Sequence, residues 1–450
     1  MPGQRGVKPL DLPGSVQEPS MASPLDPGAR RAILDAVDAL RDWSVGSLER
    51  LVRCPSTLGN EQSALNEMAR LYEALGLEAR RVPVVVEALA GHPGFSPPLI
   101  PYEGRDNVVA LHRPKAGGGR SLALQGHVDV VPEGAADMWA TPPYEPSIRD
   151  GRMYGRGAGD MKAGIVSYLT AFRALRLAGL QPAGEVQMQA VIEEECSGNG
   201  ALATMLAMPK PDAVIIPEPG PGMAALYTAE VGVVWAWVTV SGRPAHVRDM
   251  QAGVNAIEAA TLIAGAFKEY EAELNRAERI HPAFRGINHP VNVNLGTIEG
   301  GEWNSSVASR CRIGLRVGVM MGYTAAQTKA DIEALVARMR QHERLRGAQV
   351  KLEFKGFMAD PCVFDTEAEI VQLARRSHAE VSGGSLRDYP ATGLTDGRFF
   401  QLYQGTPVAC FGPDAVDIHG IDENVGLDSM QDITRTIALT MAEWCGVEKV

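Results

Sequence analysis

The stretch LALQGHVDVVP, residues 122 to 132, runs apolar up to a histidine, places an aspartate two residues further on and stops at a proline. A short apolar run bounded by turn-forming residues reads as a buried strand. That strand would end on His127 and Asp129, two side chains able to bind or orient a metal. In parallel α/β sheets ligand sites form just past the carboxyl ends of the strands, so this end marks a candidate site.

Working outward, acids or histidines fall at other predicted strand ends or just beyond them: Asp160 in YGRGAGDMKAG, Glu193 to Glu195 in AVIEEECSGNG, Glu218 in AVIIPEPG and His419 in CFGPDAVDIHG. Each alone has an ordinary reading. A strand-end histidine can be satisfied in a core, an aspartate before a helix can be its N-cap, and an acidic triplet can be a solvated loop. Together they supply nitrogen and oxygen donors without a thiolate, a set that suits zinc. Consecutive carboxylates at a sheet edge repel one another unless a cation offsets them, and the apolar AVI before them weakens the solvated-loop reading. Asp129 falls on the same strand face as His127. There its carboxylate can accept the second imidazole N–H and fix the tautomer; the alternative is a turn aspartate before Pro132.

The surrounding segments alternate in period. Helical spacing over residues 30–51 and 62–77 gives way to the β-rich runs RVPVVVEAL, NVVALHRP and SLALQGHVDVVP. IVSYLTAFRALRLAGL then places Ile165, Leu169, Phe172 and Leu175 on one helical face and meets Gly179 where a helix would stop. A strand (EVQMQAVIEEE), a helix (ALATMLAM) and a strand (DAVIIPEP) follow, which predicts βαβ units and an α/β domain with a mainly parallel central sheet. Near residue 233 the order becomes strand, helix, two strands, helix, as in a small α+β sandwich. We expect residues 233–345 to be an inserted domain, with residues 24–232 and 346–450 forming the α/β domain, which resumes at VKLEFKGF.

Composition narrows the partners. The formal net charge of -11 argues against nucleic acid or an acidic membrane surface and favours a small-molecule substrate. The six cysteines are scattered without a CxxC pair, which suits a reducing, cytoplasmic setting and core packing rather than a disulfide framework. Residues 1–23, rich in proline and glycine and without an apolar h-region, read as a disordered leader, with Met21 a candidate natural start. The longest apolar run elsewhere, VGVVWAWVTV, is about half the roughly 20 residues that span a bilayer.

In order and spacing, GHVDVVP, GRGAGDMKAG, EEECSGNG, the PEP after a strand and the late histidine resemble the dinuclear zinc amidohydrolases that include acetylornithine deacetylase, succinyl-diaminopimelate desuccinylase, aminoacylase and glutamate carboxypeptidase. The resemblance covers nearly the whole chain after the leader. It implies a zinc-peptidase-like catalytic domain carrying an inserted lid and dimerisation domain. It also implies two divalent metal ions, zinc first and cobalt or manganese as substitutes, with Asp160 bridging them. His127 and Glu218 would complete one site, Glu195 and His419 the other, and Glu194 would be the general base. Adjacent residues at a strand end diverge, so one carboxylate can bind metal while its neighbour faces water. SGRPAHVRDMQAG resembles the segment whose histidine crosses a dimer to the tetrahedral intermediate, which makes His246 a candidate oxyanion donor in a homodimer. GGEWNSSVASRCRIGLR resembles the lid stretch that reads the substrate carboxylate, with Arg316 as anchor and Asn304 beside the turn. Val307, Ala308 and Ser309 depart from the usual turn there, leaving Arg310 and Arg312 as rivals. GLTDGRFF matches a loop lining the cleft, which puts Gly393 and Thr395 among the substrate contacts.

The expected activity is metal-dependent hydrolysis of an amide in a small N-acylated amino acid. A carboxypeptidase or dipeptidase would use the same centre, as would a hydrolase of an unusual catabolic amide or aromatic amine. A non-catalytic binding relative would have lost the base or a ligand, yet Glu194 and all the ligand candidates are present.

Overall fold

The computed structural model describes residues 25–450, so the leader lies outside the described residues. Its main sheet is parallel at the centre, where strands Val186–Val191, Leu122–His127, Ala213–Ile216 and Val408–Gly412 run side by side in that order. Antiparallel pairs flank it: Asp106–His112 and Ala79–Pro83 at one edge, Ala225–Glu230 and Cys362–Val363 at the other. All six residues of Leu122–His127 are buried, as expected of a strand covered on both faces. Gln125 survives there because its amide donates to Gln189 on the neighbouring strand at 3.0 Å.

Helix Ala163–Leu177 is buried almost all round, lying between the sheet and helices Pro27–Ala39 and Leu427–Cys445. The predicted stop at Gly179 is where the chain turns, with φ of 75°. Close approach explains two other glycines. A Cβ on Gly126 would meet the Ile165 side chain at 2.7 Å, and one on Gly164 would meet the Pro217 carbonyl at 2.0 Å. The helix start is thereby pressed against the strand ends that carry His127 and Glu218.

A second sheet, Val293–Gly300, Arg310–Val319, Gly232–Ser241 and Gln349–Ala359 in that order, is wholly antiparallel and carries helices Ala256–Leu274 and Ala325–Arg340 over its own hydrophobic core. This is the inserted α+β unit. One boundary differs from expectation. VKLEFKGF pairs with Gly232–Ser241 and closes the insert's sheet instead of rejoining the α/β sheet. Period-two alternation marks a strand but does not say which sheet it joins. RVPVVVEAL likewise divides into a strand, Ala79–Pro83, and a short helix, Val86–Leu89.

Candidate metal centre

Three adjacent parallel strands deliver the donors at one sheet edge. Leu122–His127 ends on His127 itself, Val186–Val191 leads into the turn that carries Glu194 and Glu195, and Ala213–Ile216 leads across Pro217 to Glu218. Asp160 comes from the turn preceding helix Ala163–Leu177, across a cis Asp160–Met161 peptide, and His419 from the loop after strand Asp414–Val416.

The side chains form two half-sites that share Asp160. His127 Nε2 lies 3.1 Å from Asp160 Oδ1 and 3.7 Å from Glu218 Oε1. His419 Nε2 lies 3.4 Å from Asp160 Oδ2 and 3.0 Å from Glu195 Oε2. Donor atoms of His127, Asp160 and Glu195 all fall within 4.8 Å of one another, close enough to hold a metal ion. Glu194 Oε2 sits 4.0 Å from His127 Nε2, beside the cluster rather than within it. His127 is 1% exposed, whereas the His419 side chain is 52% exposed, so the cluster opens on the His419 side.

Charge dominates this site. Among the described residues no lysine or arginine forms an ion pair with Asp160, Glu194, Glu195 or Glu218. Burial pushes the Glu194 and Glu218 carboxyls well above their ordinary range, against the pull of His127 and with the push of neighbouring acids. Burial also raises Asp129 to about 7. For Asp160 burial acts upward too, but hydrogen bonds from His127 and His419 outweigh it and hold that carboxyl below its usual value. Glu195 beside it is the main reason that His419 rises to about 11. All these directions describe crowded carboxylates that draw in positive charge, whether a proton or a cation.

The structure reassigns Asp129. The His127 Nδ1 hydrogen bond goes to the Asp129 backbone carbonyl at 2.9 Å, while the Asp129 carboxylate lies 3.6 Å away. That carboxylate instead accepts the backbone N–H groups of Glu194 and Glu195, each at 3.2 Å. The main chain therefore fixes the imidazole, and the aspartate side chain fixes the acidic turn. Glu193 points inward: it takes a φ of 66° and pairs with Arg105 at 2.6 Å and Ser197 at 2.6 Å, while Tyr102 also donates to it. Arg105 in turn pairs with buried Glu61. Composition and spacing gave no sign of these partners.

The predicted substrate residues separate. Arg316 is half-buried and donates to the carbonyls of Thr392 at 2.8 Å and Asn292 at 3.3 Å, with no carboxylate partner among the described residues. Burial lowers it to about 10. Its rivals differ: Arg310 is exposed, and Arg312 stacks over Trp237. Asn304 and His246 are exposed on loops joined by the His246–Ser306 bridge, and neither touches the cluster. Gly393 is partly exposed with open space at its Cβ position. Thr395, by contrast, is buried and donates to Glu230 at 2.6 Å, so its hydroxyl is committed inward. The next residue, Asp396, is a buried acid the sequence reading passed over; burial raises it to about 6, and the charges on Glu195 and His127 reach it.

Residues 123–443 match the model of peptidase family M20/M25/M40. An N-formyl-4-amino-5-aminomethyl-2-methylpyrimidine deformylase of Halalkalibacterium halodurans is 25% identical over 370 residues, covering 77% of this chain and 85% of that protein. A succinyl-diaminopimelate desuccinylase of Parvibaculum lavamentivorans is 26% identical over 400 residues, covering 85% and 91%. Among solved structures, the di-peptidase Dug1p of Saccharomyces cerevisiae superposes with a TM-score of 0.77 at 14% identity, covering 93% of this chain and 99% of that one. Human carnosine dipeptidase 1 gives 0.74 at 15%, with the same coverage. With every residue of the cluster inside the matched span, the chain belongs to peptidase family M20/M25/M40, a family of hydrolytic enzymes.

Proposed function

We propose that this chain is a metal-dependent amidohydrolase that cleaves the C–N bond of a small N-acylated amino acid, with Glu194 as the proton carrier. The observation that carries the reading is the placement of His127 and His419 against opposite oxygens of one carboxylate, Asp160. The residues fit a pair of divalent cations. The donors are imidazoles and carboxylates, and among the described residues arginine and lysine are absent from the ion pairs around them and Glu218 Oε1 is a buried oxygen without a hydrogen-bond partner. His127, Asp160 and Glu218 would hold one ion, and Asp160, Glu195 and His419 the other; zinc suits this set, and cobalt or manganese could take its place. Bound there, such ions supply Lewis acidity, lowering the pKa of water towards about 7 and polarising the scissile carbonyl.

The chain's own groups do the rest. Glu194 takes the proton of the attacking water and delivers it to the leaving amine. Asp129 keeps Glu194 and Glu195 in register through their backbone N–H groups. Arg316, with donors remaining beyond its two carbonyl contacts, pairs with a substrate carboxylate. His246 of a second copy would donate to the developing oxyanion, which makes the working unit a homodimer formed through the insert. Supporting this, Val293–Gly300 is an exposed edge strand, with Ile298 57% and nearby Trp303 74% exposed, the kind of apolar edge that pairing would cover. The scattered free cysteines, five of them buried, fit a cytoplasmic setting, and no described helix is long and apolar enough to cross a membrane.

A second reading draws on the deformylase relatives. A carboxylate-free N-formyl amine attached to a heteroaromatic ring would use the same centre without the arginine anchor. The zinc-reconstituted protein should be offered N-acetyl and N-succinyl amino acids, dipeptides, and N-formyl aminomethyl heteroaromatics with and without a carboxylate. Turnover confined to carboxylate-bearing N-acyl compounds supports the first reading; turnover only of carboxylate-free formamides replaces it with the second. Turnover only of dipeptides moves the substrate class to peptides.

A further inference from the structure

Arg156 lies in the GRGAGDMKAG loop, yet it is 1% exposed and among the largest fully buried side chains. A guanidinium persists in such a place only if most of its donors are met; here Nε has no hydrogen-bond partner among the described residues, and the two Nη atoms carry the contacts. Nη1 donates to Glu423 Oε2 at 2.6 Å, and Nη2 donates to the carbonyls of Gly420 at 2.9 Å and Pro132 at 3.3 Å. The second oxygen of Glu423 accepts the backbone N–H groups of Gly159 at 2.9 Å and Asp160 at 3.0 Å. One ion pair thus touches the three loops that follow His127, present Asp160 and carry His419.

The His419 loop needs such a hold. Asp417, His419 and Asp422 adopt φ values of 55°, 62° and 57°, a left-handed region that costs energy for side chains other than glycine. Such conformations persist where the surroundings over-determine them. Arg156 grips this loop at the carbonyl next to His419, and Glu423 grips the Asp160 turn from the loop's far end.

We propose that Arg156 and Glu423 form a positioning pair that locks the three loops into one register, so that Asp160 and His419 stand preformed for their ions. The inference rests on reading the cluster as a metal centre. A pair serving stability alone would leave ion affinity untouched once its charges were removed together.

Two measurements separate these cases. In metal-stripped protein, Glu423→Gln is expected to speed amide exchange in residues 155–163 and 417–424 together; acceleration confined to 417–424 overturns the pairing. This readout does not depend on metal, so it stands even if the wild-type chain binds none, an outcome that would instead defeat the proposed function. The double variant Arg156→Met/Glu423→Gln removes both buried charges and so avoids stranding either one. It is expected to melt near the wild-type temperature while binding zinc about 10–100-fold more weakly against a competing chelator, as loss of outer support for ligands does. Wild-type affinity in a folded double variant overturns the proposal. Should neither variant fold, exchange in the wild-type chain decides: the two segments are expected to open together in sub-denaturing urea, and opening at separate urea concentrations refutes the lock.

Discussion

Replacing Glu230 with glutamine should reverse the sign of a stability difference between about pH 5 and about pH 8. Glu230 is fully buried, with one oxygen accepting the Thr395 hydroxyl at 2.6 Å and the other without a partner. Burial pushes its carboxyl from an ordinary 4.5 up to about 8, with Thr395 and Arg398 pulling the other way. The folded chain therefore holds a proton that the unfolded chain releases above about pH 4.5, and folding stability falls as pH rises through that window. About 3.5 pH units at about 1.4 kcal/mol each bound the loss at about 5 kcal/mol; less than about 1 kcal/mol of it has accrued by about pH 5, and most of it by about pH 8.

Glutamine cannot ionise, so the variant escapes this loss. In exchange its amide leaves buried donors imperfectly met, a pH-independent cost of about 1–3 kcal/mol. The variant should be the less stable chain at about pH 5 and the more stable at about pH 8, with the difference moving by about 3–4 kcal/mol between them. Urea unfolding of metal-stripped wild type and variant, followed by circular dichroism at both pH values, reads this directly. Asp396 and the site carboxylates titrate in both chains, so the difference reports on Glu230 together with its coupling to Asp396. A difference that stays constant with pH would falsify the picture of a carboxyl held neutral by its surroundings.

Other outcomes follow from the same geometry. Glu194→Gln should lower turnover about 10²–10⁴-fold with zinc content unchanged, whereas His127→Ala should lose metal as well; equal metal loss in both removes Glu194 from the base role. Asp129→Asn should slow turnover by disturbing the Glu194–Glu195 turn but keep metal at the His127 half-site, because a backbone carbonyl holds that imidazole; metal analysis and kcat together check this. Arg105→Met strands the buried carboxylates of Glu61 and Glu193 and should cost about 3–5 kcal/mol in urea unfolding at neutral pH; a loss under about 1 kcal/mol would show that the pair contributes little. If the insert's edge strand pairs two copies, Ile298→Lys should shift the mass measured by light scattering from dimer to monomer, and an unchanged mass would place any interface elsewhere.

What the sequence disclosed and what it hid divide along a physical line. His127, Glu195 and Glu218 were legible because a strand announces its own end, through an apolar run, a glycine or a proline, and chemistry placed there needs no distant partner to be noticed. The insert was legible because its alternation of strand and helix differs from that of the α/β sheet. The destination of residues 349–359 was not, since that strand's pattern fits either sheet and only its partner, Gly232–Ser241, decides. Asp129 shows the same limit at the scale of one hydrogen bond. The spacing to His127 placed the two residues together, but whether the carboxylate or the carbonyl meets the ring depends on loop torsions that no periodicity encodes.

The hidden pairings share a character that explains why they matter. Arg105 with Glu193, Arg156 with Glu423, and Glu230 with Thr395 join positions 88, 267 and 165 residues apart, and each is buried behind a loop that carries or flanks the cluster. The cluster itself is a set of like charges whose mutual repulsion tends to spread it. A site of this kind keeps its geometry only if its loops are tied to the frame by contacts independent of whatever cation it binds, and these buried pairs are such ties. Sequence motifs therefore mark the groups of the cluster, while the contacts that hold those groups in place arise from residues that only the folded chain brings together.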